Sequence, residues 1–188
     1  HKLSEVAEVR LSQWRELAHF VSDVVHLKVA GIDGHYASQI VFIAEDGSAT
    51  SRVKRLAIMD QDGHNIRYLS DGSSIVLTPR FSPEGDEITY TEINSGRVRV
   101  ILRHLVTGQQ EVLETAEGTS TFSPRFSPDG RGIVYSLALN GNTDIYSTDL
   151  QTRARERLTM DASAETSPSI SPDGRKVAFE SDRTSGQQ

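Results

Sequence analysis

Cysteine is absent from this chain of 188 residues, and proline is scarce, with only six. The absence of cysteine excludes disulfide bonds and is compatible with an oxidising or a reducing compartment. No run of 18 apolar residues occurs, so the sequence predicts no membrane-spanning helix. The net charge is −6 and no basic patch stands out, which argues against binding to nucleic acid.

The motifs of several enzyme and metal-binding classes are also missing. There is no Gly-x-Ser-x-Gly elbow to supply a hydrolase nucleophile. There is no His-Glu-x-x-His pair, no phosphate-binding loop and no EF-hand loop. The sequence therefore offers no catalytic residue of these classes, and we predict no metal site and no cofactor.

All six prolines lie in three copies of one motif, at residues 79–90, 124–135 and 168–179. The second copy reads Pro-Arg-Phe-Ser-Pro-Asp-Gly, and the steps between the copies are 45 and 44 residues. A fixed period of this size indicates a repeat architecture. Each copy reads as a short strand, a tight turn and a second strand with β-branched and aromatic residues.

Two more strands complete each of the first two units. They are predicted at 98–105 and 110–113, and at 143–150 and 156–159, with turns at 94–96 and at 140–141. Four short antiparallel strands in about 45 residues are typical of one β-propeller blade. A helical repeat would need an apolar period of 3.6 residues, whereas these strands alternate with a period of 2. A parallel β-helix would need a shorter period.

A degenerate copy precedes the three motifs, with strands predicted at 40–44, 55–59 and 66–69. The sequence thus predicts a mainly β fold that holds about three and a half propeller blades. Their approximate limits are 38–78, 79–123, 124–167 and 168–188, the last of them incomplete. The chain begins at His1 with neither an initiator methionine nor a signal peptide, so we expect it to be a fragment or a processed product.

The N-terminal part has a different pattern. Apolar residues recur at spacings of three and four between 12 and 30, which predicts a helix with one apolar face. Ser12 is a candidate N-cap and Gly31 a candidate C-terminal stop. His19 and His26 are predicted on the solvated face, since seven residues is a poor spacing for a metal pair. Residues 1–36 are predicted to form the end of a separate small domain with its linker, or a helix docked on the propeller. The predicted apolar face consists of Trp14, Leu17, Ala18, Val21, Val24 and Val25.

Each Ser-Pro-Asp-Gly turn carries a carboxylate, Asp129 or Asp173, and Glu84 stands in the first copy. One carboxylate at the same turn position of every blade predicts a turn-forming role, in which the side chain caps local backbone N–H groups. An acid/base pair would require two carboxylates in one site.

The order of these features resembles the TolB family. The resemblance rests on the helix from Trp14 to Asp23, on Gly31-Ile32-Asp33-Gly34, and on the following strand Ile40-Val41-Phe42. The segments 56–63, 140–150 and 179–183 are also similar to blades of that family. The resemblance runs from about residue 14 to residue 188.

The resemblance implies a periplasmic, non-enzymatic component of the Tol-Pal cell-envelope system, with an N-terminal α/β domain and a six-bladed propeller. It implies binding of the peptidoglycan-associated lipoprotein Pal on one propeller face around the channel mouth, with other Tol proteins engaged by the N-terminal segment. The family's Pal-binding positions lie just before the first proline of a blade, in loops that run into the innermost strand. In this sequence they are Val76, Leu77, Thr78, Ser120, Thr121, Phe122, Ser123, Glu165, Thr166 and Ser167.

Two other hypotheses remain open at this point. Propellers of prolyl-oligopeptidase-type serine peptidases carry the Phe-Ser-Pro-Asp-Gly motif too, so the chain could be such a propeller with its catalytic domain elsewhere. A propeller repeat protein of neither class is the third reading.

Overall fold

A computed structural model describes residues 10, 13–113 and 116–183. Its one long helix is Trp14–Ala30 (α1), and most of the remaining described chain is extended. Across the described residues, no helix has both the length and the apolar character needed to cross a membrane. The strands are Gln39–Ser48 (β1), Ser51–Asp60 (β2), Arg67–Tyr68 (β3), Ile75–Phe81 (β4), Glu87–Asn94 (β5), Arg97–His104 (β6), Gln110–Val112 (β7), Ser120–Phe126 (β8), Gly132–Leu139 (β9), Asn142–Asp149 (β10), Arg155–Arg157 (β11), Glu165–Ile170 (β12) and Val177–Ser181 (β13).

Two of the sheets are complete four-stranded blades. Strands β4 to β7 pair in chain order, strands β8 to β11 do the same, and the pairs are antiparallel. A three-stranded sheet has the order β1-β2-β3, and β12 pairs with β13. The outermost strands β7 and β11 have only three residues each. The predicted mainly β fold with four-stranded antiparallel blades is confirmed.

The turn between the second and third strand of each complete blade has two residues. Ser95 and Gly96 have φ angles of 49° and 77°, and Asn140 and Gly141 have φ angles of 52° and 84°. Positive φ at both central residues is the geometry that matches the twist of the flanking strands, and asparagine and glycine tolerate it well. Both turns lie where the sequence predicts them.

The sheets begin upstream of the predicted blade limits. The innermost strands start at Ile75, Ser120 and Glu165, whereas the limits were predicted at residues 79, 124 and 168. Each strand continues through the first proline of its repeat. An innermost strand has a hydrogen-bonded neighbour in its sheet on one side only, so the missing N–H of proline is tolerated there.

The described chain divides into two compact units. One contains the residues up to Ile40 together with Ile58–Arg67, and the other contains Val41–Ala57 and the chain from Tyr68 onward. The hydrophobic core of the second unit lies between neighbouring sheets. One cluster joins Val100 and Leu102 to Ile133 and Tyr135 of the next blade. A second cluster is formed by Leu56, Val76, Ile88, Tyr90 and Ile101.

The centres of β2, β6 and β10 repeat one hydrogen-bonding pattern. Leu56, Val100 and Ile145 are fully buried, and their carbonyls accept hydrogen bonds of 2.7–2.9 Å from the N–H groups of Leu69, Leu113 and Leu158. The N–H group of each buried residue is bound by a hydroxyl oxygen rather than by a backbone carbonyl. A hydroxyl satisfies a buried donor that the strand ladder leaves unpaired. The hydroxyl oxygens belong to Ser70, Thr121 and Thr159, at 2.8–2.9 Å.

The Ser-Pro-Asp-Gly turns have the predicted role. Asp129 Oδ1 accepts hydrogen bonds from the Ser127 hydroxyl at 2.5 Å and from the Arg131 N–H at 3.1 Å. Asp173 accepts the same pair of bonds in the next repeat, from Ser171 and the Arg175 N–H. The hydroxyl donor, and then the backbone N–H, lower the pKa of both carboxyl groups below the ordinary value.

The first copy of this turn differs from the prediction. The hydroxyl of Ser82 donates to Asp86 Oδ1 at 2.9 Å, and not to Glu84. The Ser82 oxygen then accepts the Glu87 N–H at 3.1 Å, as the equivalent serines do in the other copies. Asp86 directly follows Gly85 of the turn, so in this copy the carboxylate that accepts the serine hydroxyl comes after the glycine and not before it.

In the first unit, α1 ends as predicted and begins one residue after Gln13. Gly31 has a φ of 74° and its N–H donates to the Leu27 carbonyl. Gln13 is the N-cap residue and makes no side-chain capping bond, whereas Ser12 lies outside the described residues. The segment after the helix is bound to it, since Asp23 accepts the N–H groups of Tyr36 and Ala37.

The covered side of α1 is shifted relative to the prediction, and only Leu17 and Val24 of the predicted apolar face are half-buried. Trp14, Val21 and Val25 of the predicted apolar face are about half exposed. His19 and His26 are not on the solvated face. The Nε2 atom of His19 lies 3.3 Å from Asp62 Oδ2, and Arg15 binds the same carboxylate. His26 contacts the ring of Tyr36 edge to face, with the ring centroids 5.9 Å apart. Polar partners in the 58–67 hairpin and the 31–38 segment therefore determine which side of the helix is covered.

We expect Ile145→Ala to destabilise the protein by about 2–5 kcal/mol, because it removes a fully buried side chain and leaves a cavity. The matched control is Val106→Ala, which truncates a side chain that is 86% exposed and should change stability by less than about 0.5 kcal/mol. The free energy of unfolding in urea measures both. Equal losses in the two variants would contradict the assignment of the core.

The turn carboxylates predict acid sensitivity. Because the pKa values of Asp129 and Asp173 are lower in the folded state, the stability that they supply is present above the unfolded pKa, and it is lost as the pH falls below about 4. The double variant Asp129→Asn/Asp173→Asn should lose less stability than the wild type between about pH 5 and pH 3. Glu84→Gln is the control, since Asp86 takes the turn role in that blade. Urea unfolding over this pH range measures the slopes, and identical slopes would refute the prediction.

Candidate partner-binding face

The innermost strands of unit two lie side by side. Strand β8 contacts β4 on one side and β12 on the other, as innermost strands do around the central channel of a propeller. Each of these strands has a register shift just before its first proline, between Leu77 and Arg80 in β4 and at the equivalent places in β8 and β12. The three innermost strands thus share the same register shift at equivalent positions.

The residue before each first proline has a left-handed backbone. The φ angles are 50° for Thr78, 53° for Ser123 and 55° for Ser167. Residues other than glycine adopt this region at a cost, and they keep it only where the surrounding structure enforces it. The bulge redirects the chain, so the pre-proline side chains do not follow the simple alternation of a strand.

The ten predicted binding residues lie in strands and not in loops. All of them fall within β4, β8 or β12. The bulge explains the difference, because a strand can accommodate a left-handed residue and a proline at a bulge and then resume its ladder. The position just before the proline is therefore a distorted strand, although its sequence resembles a turn.

Three of the ten are buried where no partner reaches them. Val76, Thr121 and Glu165 stand three residues before the first proline of their repeats, and each is at most 1% exposed. The Thr121 oxygen accepts the N–H of Val100 from the preceding blade at 2.9 Å. In β4 and β8 this position connects the blade to the one before it.

At Glu165 the same position carries a charge, and its hydrogen bonds stay within its own sheet, because Arg183 comes just after β13. Its carboxylate accepts a hydrogen bond from Arg183 Nε at 2.9 Å and a second bond from Nη2 of the same guanidinium. The hydrogen bond and the charge of Glu165 raise the pKa of Arg183. On the adjacent blade, Arg157 binds Asp144 Oδ2 at 2.7 Å, and the negative charge of Glu165 also helps to raise the pKa of Arg157, after the larger effect of Asp144.

The two residues nearest each proline are more accessible. They are half-buried or exposed in every copy, and Ser120 at the start of β8 is half-buried as well. We name these six residues the pre-proline rim. It consists of Leu77, Thr78, Phe122, Ser123, Thr166 and Ser167.

One buried hydroxyl ties part of the rim together. Thr91 Oγ1 lies 3.1 Å from the Thr78 hydroxyl and accepts the N–H of Ser123 at 3.1 Å. Thr91 belongs to β5 and is buried. The bulges of two neighbouring innermost strands are thus fixed to the same atom, which holds the rim residues of β4 and β8 in one arrangement.

The residues that follow the first prolines are not among those predicted from the sequence. Arg80 and Arg125 stand on β4 and β8 directly below the rim, and each guanidinium donates from Nη1 to the carbonyl of the proline before it, at 3.0 and 3.1 Å. The sequence does contain a signal for these two arginines, because Pro-Arg-Phe-Ser-Pro occurs twice at a step of 45 residues. Within the described parts of the chain, no group of three or more His, Asp or Glu residues is arranged to hold a metal ion.

Neighbouring four-stranded sheets with a repeated hydrophobic seam define the class of a β-propeller repeat protein. The chain belongs to the TolB beta propeller domain family, whose sequence pattern matches residues 26–188. Tol-Pal system protein TolB of Dinoroseobacter shibae is 48% identical over 156 residues, which are 82% of this chain and 35% of that protein.

Solved structures agree with this assignment. The crystal structure of TolB from Acinetobacter baumannii matches with a TM-score of 0.84 and 31% identity, over 99% of this chain and 46% of that one. The present chain thus spans less than half the length of these two relatives. A puromycin-hydrolyzing peptidase from Mycobacterium tuberculosis matches with a TM-score of 0.59 over 76% of this chain and 25% of that one. At 17% identity this last likeness shows the fold alone.

The buried position of Glu165 predicts a structural role. We expect Glu165→Ala to destabilise the protein by about 2 kcal/mol, because it truncates a fully buried side chain and removes the hydrogen bonds that join β12 to Arg183, which follows β13 of the same sheet. Glu111→Ala is the matched control, since it breaks an ion pair with Arg153 in which both side chains are about half exposed, and should cost at most about 1 kcal/mol. Urea unfolding measures both. A Glu165→Ala loss no larger than that of Glu111→Ala would contradict the structural role.

Proposed function

We propose that this chain is a non-enzymatic, periplasmic protein-binding scaffold of the Tol-Pal system, and that the pre-proline rim docks the lipoprotein Pal. Membership of the TolB family and 48% identity with a Tol-Pal system protein support the system. The proposal takes the cell envelope as the site of action and Pal, with other Tol proteins, as the partners.

The observation that carries the docking site is the repeated left-handed residue before the first proline. It recurs at the same height on three neighbouring innermost strands, with φ between 50° and 55°. Thr91 ties two of these bulges together from behind. A surface whose backbone is already fixed loses little conformational entropy when a partner binds. This rigidity favours a docking role for the rim.

The chemistry of the rim also suits a protein partner. Phe122 offers an aromatic side chain for a central contact, and Thr78, Ser123, Thr166 and Ser167 add small polar groups around it. Interfaces commonly combine an aromatic anchor with a polar surround. The buried members of the ten predicted residues support this surface from below and do not contact the partner.

The peptidase hypothesis receives less support. The matching peptidase propeller is 17% identical, so that likeness concerns the fold. The identity with the Tol-Pal protein is much higher and covers 82% of the chain.

We expect Phe122→Ala to weaken Pal binding by about tenfold, since it removes the only aromatic side chain of the rim. Thr166→Ala should weaken it less, because it removes one hydroxyl, which donates to Glu180 Oε2 at 3.3 Å. Calorimetric titration of Pal into the full-length protein measures the affinities, and thermal unfolding verifies that both variants stay folded. Val106→Ala, in the turn between β6 and β7, is the control and should bind as the wild type does. Wild-type affinity in both rim variants would refute the docking site.

A further inference from the structure

Two arginines occupy the same place in consecutive repeats, one residue after the first proline. Arg80 lies on β4 and Arg125 on β8, and these innermost strands contact each other. The shared Thr91 contact fixes the two strands at Thr78 and Ser123, each two residues before the arginine. The two arginines therefore stand at equivalent positions of neighbouring innermost strands.

Both arginines have the same conformation. Each Nη1 donates to the carbonyl of the preceding proline, at 3.0 Å for Arg80 and 3.1 Å for Arg125. A guanidinium has five N–H donors in a rigid plane, so this single bond orients the group and leaves most of its donors available. The third repeat has Ser169 at this place, so the pair is confined to two of the three repeats.

Within the described chain, the two guanidinium groups have no carboxylate partner. Among the ion pairs of the described residues, none joins an aspartate or glutamate to Arg80 or Arg125. Burial, and then the positive charge of Arg80, lower the pKa of Arg125. Two like charges held together without a partner repel each other, and an anion placed between them would remove that repulsion.

We propose that Arg80 and Arg125 form a carboxylate-binding site in the channel, directly below the pre-proline rim, that receives an acidic side chain of the docked partner protein. Arginine binds carboxylates with paired, charge-assisted hydrogen bonds, and its planar fork suits this geometry better than an ammonium group does. The site extends the proposed function, on which it rests, by naming the chemical group that the partner inserts.

The site is tested by calorimetric titration of Pal into the full-length wild-type protein and into Arg80→Gln and Arg125→Gln. We expect each variant to weaken binding by about tenfold or more, because a charge-assisted hydrogen bond is lost. Arg97→Gln on β6 makes the same change of charge away from the innermost strands, and it should alter the affinity by less than about twofold. Inorganic phosphate should compete with Pal for the wild type and not for the two channel variants.

The outcomes separate the inference from the function on which it rests. Wild-type affinity in both channel variants, with no competition by phosphate, would overturn the site. If phosphate protects the wild type from thermal unfolding, both variants lose that protection and Pal affinity is unchanged, the site binds a free anion and the partner's carboxylate is rejected. If the wild type does not bind Pal, the proposed function fails, and phosphate protection then decides whether the anion site exists.

Discussion

The hydroxyl of Thr91 is the interaction on which the arrangement of the inner surface depends. A buried oxygen that serves two strands at once is a stringent constraint, since neither strand can shift without losing its hydrogen bond. The bulges of β4 and β8 are held by it, and with them the rim above and the arginine pair below. Thr78 and Ser123 have left-handed φ angles, which residues other than glycine keep only where the surrounding structure enforces them, and the Thr91 contact fixes both residues in place.

One repeated position of the innermost strands is used by different chemistry. Three residues before the first proline, Val76 packs in a hydrophobic cluster, Thr121 accepts a backbone N–H, and Glu165 binds an arginine. The contact reaches the preceding blade at Val76 and Thr121, whereas at Glu165 it stays within one sheet. Stability is then distributed over several junctions, as expected for repeat proteins.

The sequence predicted the blades well because their signals are local. The proline period gave the repeat, and the Ser95-Gly96 and Asn140-Gly141 turns fixed the hairpins. The bulges could not be predicted, since a serine or threonine before proline carries no mark of a left-handed φ. The burial of Thr121 and Glu165 depends on segments that are distant in the sequence. The covered side of α1 depends on Asp62, a residue 43 positions from His19 in the chain. Such long-range partners are invisible to a pattern read along one segment.

The shortness of the outermost strands has a consequence for the behaviour of the protein in a crowded compartment. Strands β7 and β11 have three residues each, and every residue of β11 is charged and exposed. A sheet that ended in a long, flat, apolar strand would act as a template for the strands of other molecules. These short strands offer few backbone groups for pairing with a strand of another molecule. At β11 such pairing would also require desolvation of the charged Arg-Glu-Arg sequence. The short outermost strands thereby disfavour edge-to-edge association between molecules.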